Sequence, residues 1–404
     1  MEEIREVKPS KSNKSKPPKR PNLFLRFLAF LLTLALMVGA VAAVAYRDKF
    51  NIDALRRYFT YRSLELNDSG QAESFAYEGG ADAAFAPLDG GLLVCSPSSI
   101  RLYSSSGTEY VGRTVSLENP VVSYAGKHAL VYDAGGTDLY VYAGKEEVFS
   151  LSLDAGASLL SASVNPSGWL AVVAQESGYK GTVTVYNAGY TPVMKIGLSS
   201  SFITDAAVSP DNKSVAVVTA GLGEGSFESR VNLYQLNHDE DDPTPDATAS
   251  LGNNICLSLR WAGDGIWSVG ENGVSRVDQG AAASFDYTGR YLKNFSLDGD
   301  GYAVVLLGKY RAGSSAELVV VDGGGSAAAT LSTNSQVLSL SAAGRYIAVL
   351  TADRLDIYTK DLELYDSLDA TQGARRVIQR GDGTALLIGT DTARLYLPGL
   401  NTQA

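Results

Sequence analysis

The stretch LSLSAAGRYIAVLTADRLDIY, residues 338–358, contains the pattern on which the fold prediction rests. It predicts a strand, a glycine turn, a continuous apolar strand, a polar turn and a third strand that ends at Tyr358. The middle strand, YIAVL, lacks polar alternation, which is typical of a strand covered on both faces. The order of strands and turns in this stretch recurs along the chain, so we analysed it as a repeat.

Eight segments match the third strand of that stretch. They are IRLY (100–103), LYVY (139–142), VTVY (183–186), VNLY (231–234), VSRV (274–277), LVVV (318–321), LDIY (355–358) and ARLY (393–396). Each follows a turn and an apolar strand. Over residues 57–398 the spacing averages about 43 residues, within the 40–45 of a four-stranded propeller blade.

The repeat predicts an all-β fold, a β-propeller of eight four-stranded blades, with seven blades as the alternative. A β-sandwich or two stacked barrels would not repeat one turn–strand–turn–strand unit at constant spacing. The last unit stops after its third strand, at LYLPG. We therefore expect TYRSLEL, Thr60–Leu66, to supply the missing outer strand of the last blade and close the ring.

The N-terminal region predicts a membrane anchor. Residues 1–26 form a basic, Lys/Ser/Pro-rich tail with the composition of a disordered segment. Residues 27–46 are 20 consecutive uncharged, mostly apolar residues, long enough for a transmembrane helix. The alternative is a cleaved signal peptide, because Ala43-Val44-Ala45 resembles a cleavage site.

The Lys/Arg excess before the apolar segment predicts a single-pass cell-membrane protein with a cytoplasmic N-terminus. Residues 47–59 would form a juxtamembrane linker with a short amphipathic helix. Residues 60–404 would form an extracytoplasmic propeller. The net charge is −10 although the tail is basic, so the main body is strongly acidic, which argues against nucleic-acid binding.

The residue types that most often perform catalysis are scarce. Only two histidines, His128 and His238, are present, and the chain contains no GxSxG, HExxH or P-loop motif. Cys95 and Cys256 lie in different repeats and are interpreted as buried apolar residues, not a disulfide. A glycosidase-like pair of carboxylates near the axis is the remaining enzymatic alternative.

No cofactor or metal is predicted. The three tryptophans are not at repeat spacing, unlike the docking motifs of pyrroloquinoline quinone propellers. DGDG, 298–301, is interpreted as a tight turn and the acidic run 238–246 as a solvated loop, because neither has a complete set of calcium ligands.

Three connections between second and third strands are unusually long: 175–182, 219–230 and 308–317. Two of them contain aromatic and basic residues, which are favoured at interfaces. The candidate binding residues are Tyr179, Lys180, Lys309, Tyr310 and Arg311. They favour a binding or scaffold module for a protein or a cell-envelope polymer. The alternatives are a surface glycan hydrolase or lyase and a sensory ectodomain.

The turn SPDNK, 209–213, resembles the SPDGK-type turns of TolB-related and WD-repeat propellers. The layout of the whole chain resembles an uncharacterised family of single-pass, membrane-anchored propeller proteins from Gram-positive gut bacteria. The resemblance implies a propeller outside the cytoplasm, and it implies no activity.

Overall fold

The computed structural model describes residues 23–45 and 52–399, apart from positions 63, 81, 224, 238–243, 263–264, 370 and 372. Residues 1–22 of the predicted tail and residues 238–243 of the acidic run, including His238, lie outside the described residues, whereas residues 23–26 of the predicted tail are helical. The chain divides into two compact units, Met1–Leu55 and Arg56–Ala404.

Two helices precede the strands. Helix α1, Leu23–Ala45, includes residues 27–45 of the apolar segment, and helix α2, Ile52–Tyr61, includes residues 52–59 of the predicted linker. Within the described residues, no helix is both long enough and apolar enough to cross a membrane. The membrane-spanning role of residues 27–46 stays a prediction.

The described residues of the second unit form eight four-stranded antiparallel sheets. Strand β1 (Phe75–Ala76) comes first in the chain and belongs to the eighth sheet. Blades 1 to 4 contain, in order, β2 (Ala84–Leu88), β3 (Gly91–Cys95), β4 (Ser99–Tyr103) and β5 (Glu109–Thr114); β6 (Pro120–Ala125), β7 (His128–Asp133), β8 (Asp138–Ala143) and β9 (Glu146–Ser152); β10 (Ser158–Val164), β11 (Leu170–Gln175), β12 (Gly181–Tyr186) and β13 (Pro192–Leu198); β14 (Phe202–Val208), β15 (Ser214–Gly223), β16 (Ser226–Gln235) and β17 (Ala247–Ser250).

The remaining four blades repeat the arrangement, and every segment used to find the repeat forms a third strand. Blades 5 to 8 contain β18 (Cys256–Ala262), β19 (Gly265–Gly270), β20 (Gly273–Asp278) and β21 (Ala281–Asp286); β22 (Tyr291–Ser296), β23 (Tyr302–Gly308), β24 (Ala316–Asp322) and β25 (Ala327–Thr333); β26 (Val337–Ala343), β27 (Tyr346–Thr351), β28 (Leu355–Thr359) and β29 (Leu364–Leu368); β30 (Arg376–Gln379), β31 (Ala385–Ile388) and β32 (Thr392–Tyr396), with β1 as the outer strand. The predicted eight-bladed propeller is confirmed.

Each junction between neighbouring blades has its own apolar cluster, so eight clusters close the ring. Strand β11 shows how the second strands serve two junctions. Its residues Ala171 and Val173 pack towards blade 4, whereas Leu170 and Val172 pack towards blade 2. Alternate side chains of a strand point to opposite faces, and here both faces are core. The continuous apolar second strands therefore follow from the ring.

The predicted closing strand Thr60–Leu66 is wrong in position, although the closure itself is confirmed. The closing strand is β1, in which Phe75 and Ala76 pair with Ala393 and Thr392 of β32. Helix α2 continues to Tyr61, and the side chain of Asn67 then accepts hydrogen bonds from the backbone amides of two residues that follow it. This turn delays pairing until the chain has passed it.

Arg57 and Tyr61 attach α2 to blade 8, and Tyr61 lies inside the segment where a strand was expected. The guanidinium of Arg57 is buried and donates to Asp382 O (2.6 Å) and to the hydroxyl of Tyr365 (2.7 Å). Tyr61, one helical turn later, donates to the Asp382 carboxylate (3.0 Å). Gly383, with φ of 90°, leaves the space that the guanidinium fills. These contacts hold the helical conformation against blade 8.

The structure locates both cysteines and one of the two histidines. Cys95 and Cys256 are free and lie in blades 1 and 5. His128 begins the second strand of blade 2, and burial lowers the pKa of its imidazole. The 298–301 segment connects the first two strands of blade 6 as predicted.

Candidate binding face

The two faces of the ring carry different connections. In an antiparallel blade, alternate turns lie at opposite ends of the strands. The linker face carries the connections between first and second strands, including Asp382, to which Arg57 binds. The loop face carries the connections between second and third strands. All five predicted binding residues belong to the loop face.

One of the three long connections differs from the prediction. Residues 219–230 form no open loop; β15 and β16 continue to pair from Thr219 and Arg230 out to Gly223 and Ser226. The result is a hairpin that extends blade 4 on the loop face. Near its tip the side chain of Leu222 is 85% exposed.

The blade 3 connection places Tyr179 and Lys180 beside the first strand of blade 4. Lys180 Nζ donates to Ser200 O (2.9 Å) and lies 5.1 Å from the centre of the Phe202 ring. The ring of Tyr179 covers Gly197, and its side chain remains 42% exposed. The cation and both aromatic rings therefore form one exposed cluster.

The blade 6 connection places Lys309, Tyr310 and Arg311 at the surface. Tyr310 is 64% exposed, and Lys309 Nζ lies 5.5 Å from the centre of its ring. Arg311 Cζ lies 5.3 Å from the centre of the Tyr291 ring. Lys293 Nζ donates to the backbone carbonyls of Arg311 (3.2 Å) and Gly313 (2.8 Å). The loop is thus held in place by a side chain from the first strand.

The two predicted groups are on one face but do not form a single cluster, because blades 4 and 5 lie between blades 3 and 6. Exposed apolar side chains occupy the intervening surface. They are Phe202, Leu222, Phe227, Ile255 and Leu257. Sequence reasoning missed all five, since their exposure depends on the start of each first strand and on the length of the blade 4 hairpin.

Four cations of the loop face lie against aromatic rings. Besides Lys180, Lys309 and Arg311, Arg376 begins β30 with its Cζ 5.6 Å from the centre of the Phe85 ring. Among the described residues, none of the four forms an ion pair with a carboxylate. Other cations of the ring do, for example Lys195 with Glu176 (2.7 Å). The loop face therefore exposes positive charge on an acidic protein.

The eight first strands surround a central channel with a cavity of about 780 Å³. Its wall is rich in hydroxyl groups, and several of these join neighbouring blades. Ser163 Oγ donates to Ala206 O (2.7 Å), and Ser296 Oγ accepts from the amide of Ala342 (2.9 Å). Because such bonds satisfy buried polar groups at the junctions, the channel is polar without weakening the ring.

An ion pair crosses the channel near the linker face. Arg260 of blade 5 donates from Nε to Asp298 of blade 6 (2.7 Å) and from Nη2 to Tyr124 O of blade 2 (2.5 Å). The guanidinium also lies over the Tyr124 ring, with Cζ 5.2 Å from its centre. Burial and the nearby Asp298 carboxylate raise the pKa of the Tyr124 hydroxyl. The three residues narrow the channel at this end.

Asp205 is the second carboxylate of the channel wall. It accepts hydrogen bonds from Ser161 Oγ (2.7 Å) and from the amides of Ala206 and Leu259 (both 2.9 Å). Burial raises its pKa, and these bonds oppose the rise. Asp205 accepts hydrogen bonds within blades 3 to 5, whereas Asp298 pairs with Arg260, whose charge also acts on Asp205. A third carboxylate, Asp300, also lines the channel. This arrangement favours structural roles over the paired acid and base of a glycosidase.

Comparison with solved structures supports the propeller fold. The C-terminal WD40 domain of Sif2 matches with a TM-score of 0.54 and 13% identity, over 82% of this chain and 97% of that domain. A structure described as the eukaryotic initiation factor matches with a TM-score of 0.52 and 13% identity, over 81% of this chain and 87% of that one. At this identity the similarity concerns the fold alone.

No curated protein matches the sequence. The sequence pattern of one protein family covers residues 57–392, which is the ring from the docked Arg57 to the start of the last strand of blade 8. The chain therefore belongs to DUF5711, a family of unknown function.

Proposed function

We propose that the chain is a binding module that holds a protein or a cell-envelope polymer on its loop face. The observation that carries this proposal is the combination of exposed aromatic side chains with cations that lack a carboxylate partner among the described residues. Tyr310 and Arg311 are the central example. Exposed tyrosine and arginine side chains supply large contact areas and strong hydrogen-bond donors at interfaces.

The proposal includes the membrane anchor inferred from the sequence. Residues 27–46 anchor the chain in the cell membrane, and the ring lies outside the cytoplasm. Arg57 binds blade 8 at the linker face, which is the face opposite Tyr310. A partner on the loop face would therefore not compete with this contact.

The test is site-specific photo-crosslinking in living cells. A photoreactive residue replaces Tyr310 in one variant and Tyr110 in a control variant. Tyr110 is also exposed and also lies under a cation, because Lys145 Nζ is 4.7 Å from its ring centre. It lies on the outer strand of blade 1, away from the loop face. A defined adduct from position 310 alone is the expected result.

A matched pair of double variants measures the contribution to binding. Tyr310→Ala with Arg311→Ala should weaken capture of the crosslinked partner at least tenfold, as expected for interface anchors. Tyr110→Ala with Lys145→Ala should leave capture unchanged. Equal capture by all three proteins would refute the assignment of the loop face.

A further inference from the structure

Five consecutive first strands contain a β-bulge at the same position. In blades 3 to 7, one extra residue interrupts the pairing of the first strand with the second, close to the loop face. The extra residues are Leu160, Thr204, Leu257, Lys293 and Leu338. In blades 1, 2 and 8 the same two strands pair without a shift. The bulges therefore mark one side of the channel mouth.

A bulge redirects a side chain out of the regular alternation, and bulges are frequent beside functional sites. Leu160, Thr204 and Leu257 line the cavity, and Leu257 is 51% exposed. Lys293 instead holds the loop that contains Arg311. A leucine exposed to water at the rim of a polar channel costs hydrophobic free energy, which a bound apolar group would recover.

The chemistry of the mouth restricts the ligand. Leu160, Leu257 and Arg376 line the cavity, and its deeper wall presents hydroxyl groups. Leu338 occupies the same strand position in blade 7, and Arg311 lies over Tyr291 on the loop face of blade 6. The cavity of about 780 Å³ lies within the usual range of ligand sites, about 300–1,000 Å³. A ligand that fits has apolar side groups and negative charge on one flexible chain.

A polypeptide meets these requirements better than a glycan. Sugar rings bind by stacking on free aromatic faces, but on the loop face Phe85 carries Arg376, Phe202 carries Lys180 and Tyr291 carries Arg311. The cavity also contains Trp261 and Phe295, which lie away from the loop-face ends of their strands. The bulged leucines contact branched apolar side chains well and offer no stacking surface.

We propose that the channel mouth binds a polypeptide segment that contains apolar and acidic residues. Its apolar side chains pack against Leu160, Leu257 and Leu338, and its carboxylates bind Arg311 and Arg376. This inference rests on the proposed function, because it specifies the partner and the point of contact on the same loop face.

A phage-displayed library of random peptides, selected on the immobilised full-length protein, provides the probe. We expect the selected peptides to be enriched in both Leu, Ile or Phe and Asp or Glu. A synthetic copy of the most frequent peptide is then titrated against three proteins: the unaltered chain, Leu257→Ser with Leu338→Ser, and the control Leu364→Ser. Leu364 is 55% exposed, similar to Leu257, but it lies on the outer strand of blade 7, away from the channel.

The double variant should bind the peptide about tenfold more weakly, since two apolar contacts are lost, whereas the control should bind as the unaltered chain does. Equal binding by the double variant overturns the inference. Selection of peptides without acidic residues, or of no peptides, also overturns it. The variant Tyr310→Ala with Arg311→Ala then separates the two proposals. If this variant no longer captures the crosslinked partner, the proposed function holds although the peptide inference has failed. If it still captures the partner, the proposed function fails as well.

Discussion

Two arginines near the linker face are held inside the ring, whereas several cations of the loop face lie at its surface. Arg57 and Arg260 are enclosed and donate hydrogen bonds to oxygens of other blades or elements at 2.5–2.7 Å. Lys180, Arg311 and Arg376 rest on aromatic rings, and none forms an ion pair with a carboxylate among the described residues. The same residue types therefore serve cohesion at one face and remain available for contact at the other.

The difference has an energetic meaning. A buried cation must keep its partners, because losing one leaves an uncompensated charge at low dielectric. An exposed cation on an aromatic ring contributes about 0.5–1 kcal/mol and can exchange water for a ligand at little cost. Substitutions at the linker face should thus lower stability, and substitutions at the loop face should lower binding.

The largest loss of stability is expected when β1, the outer strand of blade 8, is deleted. Deletion of Gln71–Tyr77 removes β1 together with the buried rings of Phe75 and Tyr77. Each buried aromatic side chain contributes about 3–5 kcal/mol, so the ring should lose more than about 5 kcal/mol of unfolding free energy. Urea unfolding followed by circular dichroism measures this. An unchanged midpoint would mean that blade 8 is complete without β1.

The next largest effect is expected at the axis. Arg260→Ala leaves Asp298 without its cation and should destabilise the ring by about 3 kcal/mol in urea unfolding. The double variant Arg260→Met with Asp298→Leu removes both charges and should recover most of the loss. If the single variant is as stable as the unaltered chain, the ion pair has no structural role.

A smaller loss is expected for the docked helix. Arg57→Ala should cost about 2 kcal/mol, because it leaves Asp382 O and the Tyr365 hydroxyl without their donor. Arg56 precedes it in the same helix and is exposed, so Arg56→Ala serves as the control and should change thermal stability little. Equal melting temperatures for the two variants would contradict the docking.

Asp205 should make the unfolding free energy of the ring depend on pH, whereas an asparagine at this position should not. Burial raises its pKa, so the folded state holds the proton more tightly than the unfolded state does. Its contribution to stability is therefore complete below about pH 4 and falls as the pH rises through the raised pKa. The difference in unfolding free energy between the unaltered chain and Asp205→Asn should decrease from pH 4 upward. A constant difference would show that the carboxyl does not titrate in this range.

The smallest effect on stability is expected at the mouth. Arg376→Gln removes a channel cation that lies over the Phe85 ring and forms no ion pair within the described residues, and it should change stability by less than about 0.5 kcal/mol. The same variant should weaken binding of the selected peptide severalfold. A stability loss comparable to that of Arg260→Ala would remove the distinction between the two ends of the channel.

The sequence predicted the fold well because the information is local to each repeat. Apolar second strands and third strands are recognisable without any neighbour, and even VSRV, which lacks the terminal tyrosine, forms β20. The closing strand was misplaced because Tyr61 ends a helix and contacts Asp382, more than 300 positions away. Such a contact leaves no periodic signal near Thr60.

The candidate site was predicted only in part. Tyr179, Lys180 and the 309–311 group could be placed on the loop face from the sequence because long connections are visible as gaps between strands, and their role in binding stays a prediction. Leu257 was missed because a bulge is a property of two paired strands, and one strand alone does not reveal its register. Arg376 was missed because its contact with the Phe85 ring of blade 1 forms only when blades 8 and 1 are neighbours in the closed ring.

The course of the chain through blade 8 has a mechanical consequence. The docked Arg57, the closing strand β1 and the last strand β32 all belong to this blade. A pull on the linker would first load the two hydrogen bonds of Arg57 and then the short β1–β32 ladder. Blade 8 would therefore be the first blade to separate when a tether exerts force on the linker.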